Sequence, residues 1–310
     1  MIQSLDRASP GFSLHVLCMD DVTHDLLQSL AITGLKLIRL TDFEDEDLLQ
    51  VKPARSRAEY CWTCTPCILD FVLKRDTSIE LLTYLDADLM FFSSPEPIFD
   101  EIGAGSVAII EHRFSAGFEH YAVNGKYNVE WVSIRRDASG LETVTWWRER
   151  CLEWCSAVSD GERMGDQKYL DCWPTKFTNV RVIGHAGAGV APWNFATHQF
   201  SEQRRAVYVD SLPVIFYHYH GYRMLEDGGF TPMPQIYMET TAIPYLLYEP
   251  YRIALWQSLG RIREQVPNFI CGLYETSPLV SQTVVSGIDP VQRSVAQRIL
   301  RRLRRMLNCV

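Results

Sequence analysis

Apolar positions along the chain fall into short dense runs divided by polar turns, with longer stretches of helical spacing between them. That alternation predicts an α/β domain. Phe12 to Cys18 reads as a first strand, running out at Met19-Asp20-Asp21, and Leu35 to Leu40 as a second. A helix carrying Trp62 follows (EYCWTCTPCILDFVL), and then the apolar run Leu81 to Phe92, LLTYLDADLMFF. A run so rich in branched and aromatic residues predicts a buried strand, which Pro95 and Pro97 bring to an end. Val107 to Glu111 and Tyr127 to Arg135 are further strands, and Leu141 to Cys155 is a tryptophan-rich amphipathic helix that packs on the sheet. Gly165-Asp166-Gln167 marks a helix start, Gly187 to Asn194 (GAGVAPWN) a loop, and Val214 to Tyr222 a strand running into Gly221. Beyond about Pro232 helices and turns take over, with a connector rich in Pro, Met and Tyr over Thr231 to Tyr251. The predicted organisation is a main domain over 1–230, a connector and helical extension over 231–290, and a basic amphipathic tail over 291–310.

Composition adds exclusions. With 47% hydrophobic and 22% charged residues in 310, the chain is an ordinary globular protein. The net charge is −8, unevenly spread. Residues 291–310 hold six arginines and no acid, so the rest of the chain carries six more negative charges than the total. An acidic body is not a general nucleic-acid binder, because phosphate contacts need clustered cations. No apolar run approaches the roughly 20 residues of a membrane span. The N-terminal MIQSLDRASPGF lacks the basic start and apolar core of a signal peptide, so a cytoplasmic protein is expected. Val295, Ile299, Leu303 and Met306/Leu307 recur at helical spacing among the tail arginines. Such a helix either docks its stripe on the domain or lies on an anionic membrane face. Nine cysteines in a chain of this size do not form a disulfide framework. Cys61, Cys64 and Cys67 have iron–sulfur-like spacing but lack a fourth ligand and fall inside a predicted helix. Cys151 and Cys155, four apart on another, read as core packing.

The candidate chemistry gathers where carboxylates and imidazoles break into apolar runs. Asp86 and Asp88 interrupt LLTYLDADLMFF, and burying such a pair is costly unless something compensates. In extended chain the period of two lets both point to one side. Two pre-placed oxygens of this kind suit Mn²⁺ or Mg²⁺ that also holds substrate phosphates; the bland alternative is a strand-end turn with solvated caps. His218 and His220 share one face of a strand, either as core residues or as metal ligands. Asp20 and Asp21 follow the first strand, where ligands gather in open α/β sheets, and serve equally well as helix caps. Asp42 to Asp47 places five acids in six residues, a solvated helix start. One arginine of Arg55-Ser56-Arg57, with Arg57 the candidate, is either a bidentate contact for a diphosphate or an ordinary exposed arginine. Asp166 and Gln167 either cap a helix or bond sugar hydroxyls, and Trp193 beside Asn194 either stacks on a sugar or packs in the core.

Four landmarks in order, YLDADLMFF, YNVEW, GDQKYL and HYHG, resemble the metal-dependent nucleotide-sugar glycosyltransferases of the GT-A fold, especially the group that includes glycogenin. RSRAEYCWTCTPCIL is similar to that family's basic-aromatic helix, and the likeness runs from about Phe12 to Arg223. It is similar in style to bacterial surface-polysaccharide transferases, through the WWRERCLEWC, DQKYLD and APWN segments. The resemblance implies a Rossmann-like, mixed and mostly parallel central sheet flanked by helices, with a helical C-terminal extension. It implies that Asp86 and Asp88 hold the metal, Asp86 also lying near the ribose, with His218 of H-x-x-G as third protein ligand. Arg57 falls where the family places a basic residue on the donor phosphates, and Asn128, Asp166 and Gln167 would line the sugar pocket. Two departures stand out. Asn128-Val129-Glu130 replaces Asn-x-Gly, so that either the backbone approaches the sugar less closely or Glu130 has a role of its own. Tyr222-Arg223-Met224 replaces the usual Lys-Pro-Trp, leaving Arg223 as the stand-in for the phosphate-contacting lysine.

The implied reaction moves a sugar from a nucleotide-diphosphate sugar, a UDP-sugar by resemblance, to a glycan or lipid-linked glycan. Likeness to glycogenin implies retention, with Asp166 or Gln167 on the sugar face. Inversion would need a carboxylate base on the acceptor, for which Glu130, Asp166 and Asp171 are candidates. Two other readings are an idle sugar-nucleotide-binding protein and a metal-dependent phosphatase. The phosphatase fits poorly, since its D-x-D belongs on the first strand of the domain.

Overall fold

The computed structural model describes residues 1–238 and 243–275 and divides the chain into two units, Met1–His218 and a second beginning at Tyr219. The predicted tail over 291–310 lies outside the described residues. No helix among those described is long and apolar enough to cross a membrane.

In the first unit, β1 (Leu14–Cys18) and β2 (Leu35–Arg39) form a parallel pair, and β3 (Leu81–Leu85) is followed by β4 (Leu89–Phe91). β5 (Val107–Glu111), β6 (Tyr127–Arg135) and β7 (Val180–Ile183) join β3 in a four-stranded sheet of order β3-β6-β5-β7. β6 is antiparallel to both neighbours and β5 is parallel to β7, so β3, β5 and β7 run one way and β6 opposes them. This is the mixed α/β architecture that the alternation predicts. After β7 come a small antiparallel sheet of β8 (Phe200–Gln203), β9 (Ala206–Val209) and β10 (Leu212–Pro213), then β11 (Phe216–His218), which pairs antiparallel with β4.

β5 alternates cleanly across the sheet. Val107 and Ile109 join a core with Val132, Ile134, Trp147 and Trp173, while Ala108 and Ile110 join one with Leu89, Phe91, Trp131 and Phe216. Burial on both faces explains why these strands read as apolar runs rather than as apolar/polar alternation. The helix Arg57–Arg75 opens on a Ser56/Glu59 capping box, and the helix Ala138–Glu153 is capped by Asp137 through the Gly140 amide at 2.8 Å. Gly140 starts that helix against the sheet, since an added Cβ would lie 2.1 Å from the Arg135 carbonyl oxygen.

The run Leu81 to Phe92 differs from the single strand predicted. It breaks at Asp86-Ala87-Asp88 into two strands of different sheets, β3 pairing with β6 and β4 with β11. The two carboxylates therefore sit at a turn between strands rather than along one. Cys61, Cys64 and Cys67 lie within the helix Arg57–Arg75; burial pushes the Cys64 thiol up to about 12 and raises Cys67 too, the behaviour of packing residues.

The second unit contains β12 (Arg223–Leu225), antiparallel to β13 (Phe230–Thr231) and parallel to β14 (Leu273–Tyr274), together with the helix Tyr245–Gln265. Its centre is aromatic. Tyr219 stacks on Tyr251 at 3.6 Å between ring centroids and donates its hydroxyl to the Leu247 carbonyl at 2.7 Å.

Candidate active site

Three segments of the first unit converge on one point. The β3–β4 turn carries Asp86 and Asp88, β11 ends at His218, and β6 contributes Glu130. The turn is fixed from below, because the Asp86 amide donates to the Glu130 carbonyl at 3.2 Å. His218 is fixed on both sides, by pairing with Leu89 of β4 and by its amide donating to the Val190 carbonyl at 2.9 Å. Its Nε2 then lies 3.1 Å from Asp88 Oδ1 and 3.6 Å from Asp86 Oδ2, and its Nδ1 lies 2.7 Å from Glu130 Oε2. One ligand atom from each of Asp86, Asp88 and His218 falls within 4.8 Å of the others, the one such group of three or more metal-ligating side chains among the described residues.

Electrostatics set burial and carboxylate repulsion against the His218 charge in this cluster. Burial pushes the Asp86 carboxyl up to about 6; a charged His218 opposes the rise, while Asp88 and Glu130 add to it. Burial would lower His218, but the Asp88 and Glu130 carboxylates outweigh it and hold the imidazole well above its usual range. Three carboxylates crowd one imidazole, and a divalent ion with mixed oxygen and nitrogen ligands would relieve their repulsion. The donor set fits Mn²⁺ or Mg²⁺, with Asp86, Asp88 and His218 as the side chains that would hold it.

Beside the cluster runs a polar chain. His112 Nδ1 donates to the Lys126 carbonyl at 3.1 Å, and its Nε2 accepts from Asn128 Nδ2 at 2.9 Å. Asn128 also donates to Gln167 Oε1 at 3.4 Å and accepts from the Glu130 amide at 2.8 Å. Gln167 Nε2 in turn donates to the Asn124 carbonyl at 3.1 Å, so its amide has a fixed orientation. Asp166 is only 3% exposed, and its Oδ2 is buried without a hydrogen-bond partner. Burial pushes its carboxyl up to about 7 despite a hydrogen bond from Thr65, and the nearby Asp86 charge adds to the rise.

No family model matches the chain. It is 34% identical over 275 residues to the Bacillus subtilis protein YfnD, a match spanning 88% of each chain, and YfnD is named an uncharacterized protein. It is also 34% identical over 278 residues to YfnF of the same organism, spanning 87% of this chain and 90% of that one. The chain belongs to the family of YfnD and YfnF. Among solved structures, this YfnD-family chain is similar to the galactosyltransferase LgtC in complex with donor and acceptor sugar analogs (TM-score 0.43, 15% identity, 70% of this chain and 80% of that one). It is likewise similar to a glycosyltransferase involved in glycosylation of the PBCV-1 major capsid (TM-score 0.41, 14% identity, 67% and 91%). A third is mouse xyloside xylosyltransferase 1 (TM-score 0.42, 11% identity, 70% and 89%). No residue role follows from likeness at this level.

The remaining residues singled out in this family member are spread more widely. Asp20 caps the helix Asp21–Ser29 through the Thr23 amide at 2.7 Å and faces Arg57 at 3.7 Å, with the Arg57 side chain 86% exposed. Trp193, 2% exposed, stands edge-on to His218 at 5.3 Å and to His112 at 5.0 Å. Asn194 closes the 187–194 loop, donating to the His112 and Gly189 carbonyls and accepting from the Ala191 amide. Asp171 accepts from the Lys126 amide at 2.7 Å. His220 and Arg223 belong to the second unit, His220 with its ring edge-on to Tyr237 at 6.5 Å and Arg223 over the Tyr274 ring at 4.8 Å. Sequence reasoning missed His112, Tyr84, Arg113 and Gly189. Tyr84 donates its hydroxyl to Asp86 Oδ1 at 2.9 Å. Only Gly189 left a trace, as the second glycine of GAGVAPWN.

Proposed function

We propose that the chain is a divalent-metal-dependent glycosyltransferase moving a sugar from a nucleotide-diphosphate sugar to a glycan acceptor. The observation that carries this reading is the Asp86–Asp88–His218 group beside the polar wall of Asn128, Asp166 and Gln167. When bound, a divalent cation supplies Lewis-acid neutralisation of the leaving diphosphate. The chain's own residues do the rest. Asp86 and Asp88 supply hard oxygens and His218 a nitrogen. Gln167, its amide set by Asn128 and the Asn124 carbonyl, presents a fixed dipole to the sugar face. Asp166, 3% exposed with its carboxyl pushed up to about 7 by burial, backs this wall, and its place on the sugar side rests on the motif resemblance. Asp20, just past the end of β1, and Arg57, 3.7 Å from it, are the candidates for contact with the nucleoside and its phosphates. A UDP-sugar donor, retention of configuration, and phosphate contact by Arg223 rest on the motif resemblance. A lipid-linked acceptor rests on the basic tail.

The test is a thermal-shift series with nucleoside diphosphates and nucleotide sugars, with and without Mn²⁺, followed by turnover of any hit with glycan acceptors. A ligand at a hundred times its dissociation constant stabilises the folded state by about 2.7 kcal/mol, so even modest affinity registers. Stabilisation by a nucleoside diphosphate that requires Mn²⁺, with release of that diphosphate on turnover, is expected. Turnover that yields inorganic phosphate without sugar transfer overturns the reading.

A further inference from the structure

We propose that Glu130 is not the acceptor base but the positioning residue for His218, and that the pair biases the cation site toward Mn²⁺ over Mg²⁺. This rests on the reading of Asp86, Asp88 and His218 as a divalent-cation site. Glu130 is 1% exposed, and its Oε2 takes a 2.7 Å hydrogen bond from His218 Nδ1. That bond sets the ring. With Nδ1–H committed to a carboxylate, Nε2 is the nitrogen that faces Asp86 and Asp88, and its lone pair is the one a cation would meet. The same residue's carbonyl accepts the Asp86 amide, so Glu130 ties both ligand-bearing segments together, one through its backbone and one through its side chain.

The surroundings are built to keep a carboxylate there. Gly189, at φ +73°, has no side chain where a Cβ would lie 2.7 Å from Glu130 Oε1 and 2.9 Å from Arg113 Nη2. Both atoms flank the one point that the missing side chain leaves open, so the half-buried Arg113 guanidinium stands across it from the second carboxylate oxygen and attracts its charge without closing into a direct ion pair. Arg113 is held there by donating Nη1 to the His185 carbonyl at 3.2 Å and Nη2 to the Ala188 carbonyl. Glu130 therefore has a histidine on one oxygen, a cation near the other and almost no solvent contact. A base must reach an incoming hydroxyl, and a carboxylate so enclosed does not.

Metal choice follows from ligand chemistry. A carboxylate on the far nitrogen makes an imidazole a stronger donor. Mg²⁺ holds its waters and prefers oxygen, so it gains little from that nitrogen, whereas Mn²⁺ gains more. The experiment is calorimetric titration of the full-length protein with Mn²⁺ and with Mg²⁺, without nucleotide, for wild type, Glu130→Gln, Glu130→Asp, His218→Ala and the His218→Ala/Glu130→Gln double variant. The expected result is a Mn²⁺ affinity reduced roughly 10- to 100-fold in Glu130→Gln with Mg²⁺ affinity nearly unchanged. Glu130→Gln should add nothing once His218 is gone. Should Glu130→Gln not fold, Glu130→Asp keeps the charge but shortens the reach, and a lowered Mn²⁺/Mg²⁺ ratio is expected there. Unchanged selectivity in a folded Glu130 variant overturns the positioning role while leaving the cation site standing. Absence of Mn²⁺ binding in wild type overturns both.

Discussion

At the scale of single residues, Asp88 and Asp166 carry charges that the fold handles in opposite ways. Asp88 adds to the repulsion that, after burial, pushes Asp86 up, and it also attracts His218 at 3.1 Å, so removing its charge has opposed effects on the metal-free fold. Asp88→Asn is expected to fold in EDTA and to lose Mn²⁺-dependent stabilisation by a nucleoside diphosphate. Equal stabilisation of both proteins would contradict its assignment as a ligand. Asp166 is instead a buried carboxyl whose pKa rises to about 7 from an ordinary 3.8. Between those values the folded state holds a proton that the unfolded state has released. Stability from this group is therefore complete below about pH 4 and is lost as pH rises through about 7, an effect on the order of a few kcal/mol. Asp166→Asn, neutral throughout, should gain more stability relative to wild type at pH 8 than at pH 5, read from melts at the two pH values in EDTA. A constant difference would mean that Asp166 is charged throughout. Asp86 and Asp88 were legible because they interrupt an apolar run, and Asp166 because it follows Gly165 ahead of Gln167 in the pattern of a helix start. His112 and Tyr84 were not, since a lone histidine and a strand tyrosine become site residues only when distant segments meet.

At the scale of elements, apolar density located β1 to β6 and β11, but not β7 to β10 or β12 to β14, which are two to four residues long and mostly exposed or half-buried, and it could not show where one run changes sheets. Leu81 to Phe92 reads continuously because half-buried β3 and buried β4 are both built almost wholly of apolar residues, and nothing in their residue types distinguishes pairing with β6 from pairing with β11. The break at Asp86-Ala87-Asp88 is what aims both carboxylates at His218. Similarly, Val214 to Tyr222 reads as one strand, whereas β11 stops at His218 and His220 belongs to the turn before Gly221. The 187–194 loop gives the test at this scale. Gly189→Ala would force a left-handed alanine, costing about 1–2 kcal/mol. It would also drive a methyl to 2.7 Å from both Glu130 Oε1 and Ile110 Cγ2, and overpacking of that kind costs a further 1–3 kcal/mol or so. Gly117, at φ +94° with nothing within 4 Å of an added Cβ, is the control that meets only the conformational cost. Urea unfolding should therefore show Gly189→Ala clearly less stable than Gly117→Ala. Equal losses would mean that the loop yields freely and does not clamp Glu130.

At the scale of the whole molecule, charge is segregated: the body is acidic and residues 291–310 carry six arginines without an acid. Sequence makes this plain, yet composition cannot say whether such a helix turns its apolar stripe to protein or to lipid. A transferase acting on a growing lipid-linked glycan would gain from residence at an anionic membrane face, where each arginine near the surface contributes about 1 kcal/mol. The attraction falls off within a Debye length, about 8 Å at physiological ionic strength, so a tail bound this way must release as salt rises. Apolar burial of Val295, Ile299, Leu303 and Leu307 would add a part that salt does not remove. Co-sedimentation with vesicles separates the two uses of the tail. Full-length protein should pellet with anionic but not neutral vesicles, less so at high salt, and a form ending at Pro290 should stay in solution. If both forms partition alike, the arginines serve packing or solubility and the acceptor must reach the site without help from the tail. If the truncated form instead unfolds at lower temperature while neither form binds vesicles, the stripe docks on protein.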